Sequence, residues 1–189
     1  MYPKRTIVNG REYEINTDFK VAIDCIDIGY ADIPDEERTL AIIYKLFGDK
    51  GLDNPQDWAG LIEKATKYLS LDKEYKGDKE PDMDFKKDYD FIKASFRSDY
   101  GINLDKEDMH WWEFYNLING LSNSEFGNCC ILNRIRNLRN MDTSKIEDAE
   151  EKARIEEMQR EFAIEKKEIK TDKQKELDEY WKKMLGKEK

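Results

Sequence analysis

Apolar residues recur at spacings of three and four along most of this chain, the period of helices that bury one face. Phe19, Ile23 and Ile26 predict a first helix, capped by Thr17 and ended at Gly29. Leu40, Ile43, Tyr44 and Phe47 predict a second, opened by Pro34 and stopped by Gly48. Trp58, Leu61, Ile62, Ala65 and Leu69 form the stripe of a third, opened by Asn54-Pro55. The exception comes first in the chain. Two short runs, Arg5–Val8 and Arg11–Ile15, flank Asn9-Gly10. Asn-Gly accepts the positive φ angles of a two-residue type I′ turn, so a β-hairpin is expected there. Two strands are marginal alone in water, so this hairpin must rest on a helix or pair with another strand.

Residues 72–84 are polar, contain Gly77 and Pro81, and make the best linker candidate. A richer stretch comes next. Tyr89, Ile92 and Phe96 mark one helix, and Gly101 suits the left-handed residue that ends it. Asp105 stands as N-cap before Met109, Trp112, Tyr115, Ile118 and Leu121. The expectation is an antiparallel helical hairpin over 85–121, with Phe91, Trp111 and Phe114 left over from its seam. Ser124 then caps a helix bearing Phe126, Cys130, Ile131, Ile135 and Leu138, whose exposed side would show Arg134, Arg136 and Arg139.

The composition shifts at Ser144. Ser144 and Glu147 read as a capping box, and the run to Gly186 has no proline and no interior glycine. It predicts one long charged helix, or two with a break near Thr171-Asp172. Its apolar positions, among them Met158, Phe162 and Ile169, form a narrow seam that wanders rather than a sustained heptad. Pairs such as Glu156–Arg160 contribute only ~0.2–0.5 kcal/mol each, so the seam is expected to touch something. The domain reading is a helical body over 1–140 and a charged extension over 141–189. The fold class expected is mainly α, with a short N-terminal β-hairpin, a compact helical domain and a long charged C-terminal helix.

The stretch around Trp111 also carries a resemblance. Phe96, Tyr100-Gly101-Ile102, Leu104, Met109-His110-Trp111-Trp112-Glu113-Phe114, Leu117, Leu121, and Ile135-Arg136 downstream make up the motif. In these residues the chain resembles the bacteriophage gene-product-fifteen family, small acidic proteins of siphophages and prophages of Gram-positive bacteria. The match is strongest over 84–139. The resemblance implies a gene between those of the major tail protein and the tape-measure protein, where tail assembly chaperones are encoded. It brings no catalytic motif.

Charge narrows the partners. Net charge is -9, with 40% of residues charged and 39% hydrophobic. Mean hydropathy is -0.92 and the isoelectric point is about 4.9. A field of this sign argues against nucleic acid and anionic membranes and suits a partner with basic patches. The N-terminal MYPKRTIVNG has no apolar signal region, and no run approaches the ~18 apolar residues of a membrane span. Three cysteines and one histidine are too few for a disulfide framework or a metal site. His110 and Glu113 share a helix face, but two ligands are not a site. No phosphate loop, nucleophile elbow or zinc motif occurs, so neither an enzyme nor a cofactor is expected.

The functional expectation rests on the resemblance. The protein is expected to bind and solubilise the phage tape-measure protein, or another tail protein, in the cytoplasm of the bacterial host. The alternative is a structural tail or adaptor component retained in the virion. A nucleic-acid-binding regulator using Arg134, Arg136 and Arg139 is a third reading. Self-association is left open. The partner surface is expected to comprise Trp111, Trp112, Phe114, the three arginines, and the seam residues Met158, Phe162 and Ile169.

Overall fold

The Asn-Gly hairpin is present. Strands β1 (Arg5–Val8) and β2 (Arg11–Glu14) pair antiparallel with Val8 opposite Arg11. Asn9 and Gly10 have φ of 49° and 77°, as the type I′ turn requires. Val8 and Tyr13 are buried and Ile7 faces outward. The computed structural model describes residues 2–73, 81–123 and 129–165. They divide into two units, one holding 2–73 and the other 81–165.

In the first unit the hairpin is followed by α1 (Phe19–Tyr30), α2 (Asp35–Phe47), α3 (Asp49–Leu52) and α4 (Trp58–Leu69). The cap of α1 is Asp18 rather than the expected Thr17, and its carboxylate accepts from the Lys20 amide. Gly29 lies inside α1, which runs on to Tyr30. α2 does begin after Pro34 and carries three acids in its first turn, where the helix dipole favours them. Gly48 stops it at φ 64°. Its buried face is Ile42, Ile43, Leu46 and Phe47, so Tyr44 stands outside the core. Leu61, Ala65 and Tyr68 form the buried face of α4.

The hairpin lies directly on α4. A Cβ added at Gly60 would come within 2.5 Å of Val8 Cγ1, so a larger residue there would force the Val8 side chain to shift. Asp57, just before α4 and fully buried, fixes the position. Its carboxylate accepts from Asn9 Nδ2 at 2.7 Å, Arg11 Nη1 at 2.8 Å and the Tyr13 hydroxyl at 2.6 Å. The Tyr13 hydrogen bond, followed by that from Asn9, holds the Asp57 carboxyl below its ordinary range. Burial first, and then the Asp57 hydrogen bond, pushes the Tyr13 phenol up.

The second unit contains α5 (Tyr89–Tyr100), α6 (Trp111–Asn119), α7 (Ile131–Arg139) and α8 (Ala149–Glu161). Gly101 ends α5 in the left-handed conformation at φ 70°. The Gly101 and Ile102 amides donate to Arg97 O and Phe96 O. The expected antiparallel pairing of α5 with α6 does not form. Contacts run in the same order along both segments: Phe85 with Trp111, Phe96 with Phe114, and the Tyr100 hydroxyl with Leu117 O. An antiparallel hairpin would reverse that order. Residues 101–110, Asp105 among them, form a connector between the helices, and Asp105 pairs with Lys93. The cap of α6 is therefore His110, whose Nδ1 accepts from the Trp112 amide. α7 is the antiparallel neighbour of α5, since Ser95 Oγ accepts from the Leu132 amide and Asp88 pairs with Arg139.

α7 is capped by Cys130, a residue expected inside the helix. Ser124 and Phe126 lie outside the described residues. The Ser144 capping box is replaced by a short 3-10 turn over Thr143–Lys145, and Asp148 caps α8 by accepting from the Glu151 amide. α8 ends at Glu161, and residues 163–165 leave the helix. The expected continuation over 166–189, with Ile169 and the break near Thr171-Asp172, lies outside the described residues. The fold is mainly helical with a short N-terminal hairpin, as expected.

Two outcomes are expected. Gly101→Val should destabilise the second unit by ~1 kcal/mol or more, because a β-branched residue resists positive φ. A thermal midpoint equal to wild type would contradict this. Asp57 has a folded pKa below its unfolded one. Its contribution is thus fully present above the unfolded value and is lost as pH falls through the folded one. Asp57→Asn should lower stability at neutral pH and flatten the acid limb of the stability curve. A variant that retains the wild-type acid limb would exclude Asp57 as its source.

Candidate partner-binding surface

The residues expected to bind a partner, apart from Ile169, which lies outside the described residues, fall into three places in the second unit. Trp111 and Phe114 are in the core, with 1% and 0% of their surface exposed. They meet Phe85 and Phe96 in one aromatic cluster, with Phe96 and Phe114 stacked at 5.3 Å and Trp111 and Phe114 at 5.9 Å. Their surface is therefore not available to a partner. The physical reason is phase. α6 is apolar on most of its circumference, so Trp111, Phe114, Ile118 and Leu121 fit a helical face as well as Trp112, Tyr115, Ile118 and Leu121. The larger buried volume lies on the first face. Trp112 is half-buried on the second.

The arginines separate as well. Arg134 is exposed, and its Nε donates to Cys129 O. Arg136 is half-buried, donating to Asp82 Oδ2 at 3.0 Å and Asn133 Oδ1 at 3.1 Å. Arg139 has a side chain only 7% exposed and forms a two-pronged pair with the fully buried Asp88, both contacts at 2.7 Å. Asp88 also accepts from the Asp84 amide. Arg139 further donates to Asp82 O and, through Nε, to Phe162 O. Two of the three arginines are thus occupied within their own chain, which leaves little of the proposed basic patch.

The two described seam residues lie on α8, whose C-cap Phe162 meets Arg139. Met158 and Phe162 are half-buried where α8 meets α7, and Phe162 packs edge-to-face on Phe91 at 5.9 Å. Gln159 Nε2 donates to Leu138 O and Met141 O, and Lys87 Nζ donates to Ala163 O. Sequence reasoning missed Lys87, Asp88 and Gln159. Asp88 carried one usable signal, an acid placed just before a helix in a chain with a later cluster of arginines.

An open cleft of about 210 Å³ lies at the end of α8, bordered by Asp82, Arg139, Gln159 and Ile164. Small-molecule pockets usually enclose roughly 300–1,000 Å³ with mostly apolar walls, so this cleft is smaller than that range. Among the described residues no group of three His, Cys, Asp or Glu is placed to hold a metal ion. Burial pushes the Cys25 thiol up to about 12, which keeps it protonated. No helix among the described residues is long and apolar enough to cross a membrane.

These features belong to a small, acidic and mainly helical protein. The chain belongs to the family described as bacteriophage Gp15 protein, whose profile matches residues 4–164 and takes in elements of both units. No curated protein and no solved structure matches. This is a phage protein.

The Asp88–Arg139 pair provides a stability test. Asp88→Ala should destabilise the second unit by about 3–5 kcal/mol, because it leaves a buried guanidinium without its counterion. A loss below ~1 kcal/mol in chemical denaturation would show that water or Asp82 replaces the carboxylate.

Proposed function

We propose that this phage protein is a tail assembly chaperone that binds the tape-measure protein and keeps it soluble until the tail tube covers it. The observation that carries the reading is the bacteriophage family match over 4–164. The tape-measure protein is singled out by the gene position that the resemblance implies. Physical chemistry supports the pairing. A long protein with apolar helical seams aggregates while those seams are bare. A protein with net charge -9 stays soluble and can shield such seams without adding an aggregating surface of its own. The action is binding rather than catalysis, and it takes place in the host cytoplasm before tube assembly.

Among the described residues of the expected surface, Trp112, Arg134, Arg136, Met158 and Phe162 retain access to solvent, with Arg136 engaged by Asp82. Co-expression with the tape-measure protein should raise its soluble yield, and the two should co-purify at moderate salt. Trp112→Ala should reduce the yield with little change in the unfolding midpoint. Absence of co-purification, together with detection of this protein in finished virions, would overturn the chaperone reading in favour of a retained adaptor.

A further inference from the structure

α8 is held differently from the other helices of its unit. Eight of its thirteen residues are charged and only Ile155 is buried, whereas α5, α6 and α7 each bury three residues. A lone helix of this length is marginal in water, so its seat must hold it in place. Two of the contacts there come from the body of the unit and end on main-chain atoms. Arg139 Nε donates to Phe162 O and Lys87 Nζ donates to Ala163 O. The Phe162 carbonyl belongs to the C-cap of α8, at the negative end that lacks partners of its own, and Ala163 is the residue that follows it. Carbonyls are the same in every sequence. Beside them Phe91 takes the Phe162 ring, and Gln159 Nε2 donates to Leu138 O in the last turn of α7 and to Met141 O just past it. The seat therefore reads a helix C-terminus with an apolar side chain at its end; elsewhere α8 is held by the buried Ile155, by Gln159 and by the hydrogen bond from Thr143 to Glu156.

We propose that this seat, formed by Lys87, Phe91, Leu138 and Arg139, is the partner-binding groove, and that α8 fills it until an amphipathic helix of the partner displaces it. The inference rests on the reading that the protein binds a helical partner. The incoming helix is specified by the occupant it replaces. It carries apolar residues at the spacing of Ile155, Met158 and Phe162, and it ends in the groove with its carbonyls facing the two cations. The groove persists when α8 leaves, because the bonds from Arg139 to Asp88 and Asp82 do not involve α8. A seat preformed in this way spares the partner the ordering cost of building it. While α8 is docked, it lowers the apparent affinity for a competitor by the fraction of time the seat is closed.

The test uses the full chain and a labelled synthetic peptide of residues 148–164. Wild type should bind the peptide weakly by fluorescence anisotropy. Ile155→Asp, which loosens α8 in place, should bind it at least about tenfold more tightly. Adding Phe91→Ala to that variant should abolish the gain. Hydrogen exchange on wild type gives a reading that needs no variant: α8 amides should exchange through local opening, well before those of α5. Exchange of α8 only with global unfolding, or peptide affinity unchanged by Ile155→Asp, would overturn the inference. Tape-measure co-purification without peptide binding would leave the chaperone reading standing and remove the groove. Peptide binding without tape-measure co-purification would retain the groove and remove that partner.

Discussion

Each unit of this protein is organised around a buried carboxylate placed just before a helix. Asp57 precedes α4 and Asp88 precedes α5, and both are fully buried. A buried carboxylate is tolerated only when its oxygens are satisfied. Asp57 gathers donors from the turn and the second strand of the hairpin, and Asp88 gathers the Arg139 guanidinium and the Asp84 amide. These donors come from 44 to 51 positions away in the sequence, except for the local amide. Each acid therefore does what a small apolar core does poorly: it selects one placement of a distant segment. The Asp57 donors select the hairpin seated on α4 against a hairpin that slides. The Asp88 pair sets the end of α7 against the start of α5, and thereby the antiparallel sense of those helices.

The sequence exposed local structure well and distant pairing poorly, for a physical reason. Asn9-Gly10 announces its turn because the required φ angles are rare for other residues, and Gly101 announces a helix end in the same way. Pro34 and Gly48 bracket α2 as local chemistry predicts. Caps were legible only to within a residue or a few. Asp18 displaced Thr17 and Asp148 displaced Ser144, because any nearby short polar side chain can accept from a free amide. The sense of α6 was not legible at all. Apolar spacing shows that two helices have faces, but the connector over 101–110 decides whether the second helix returns or runs alongside. The Lys93–Asp105 pair that links this connector to α5 joins residues with no local sequence signature.

The candidate surface was harder to read than the fold because burial reverses the meaning of its residue types. Tryptophan and arginine are enriched at binding hot spots and are equally at home in interiors when their polar atoms are satisfied. Trp111 and Arg139 are interior in this sense, and Phe114 completes the same aromatic cluster. A helix such as α6, with Trp111, Trp112, Phe114, Tyr115, Leu117 and Ile118 in nine residues, offers two usable faces. Periodicity cannot choose between them. Three arginines in an acidic chain were more informative than their charge suggested, because Asp82 and Asp88 were available to two of them.

The same pairing explains how one arginine can serve both the fold and an exchangeable contact. Its terminal nitrogens face Asp88 and the Asp82 carbonyl, and its Nε faces Phe162 O. A guanidinium is rigid and planar, so fixing one edge with a two-pronged carboxylate also fixes the direction of the remaining donor. Lysine could not do this, because an ammonium on a flexible stem has no fixed edge. The buried pair thus aims a donor outward at a helix end with no further ordering cost. A contact of this kind is weak by itself, about 0.5–1.5 kcal/mol net for an ordinary hydrogen bond, yet its position does not depend on what occupies it. Rigidity in the interior and exchange at the surface are two consequences of one bidentate geometry.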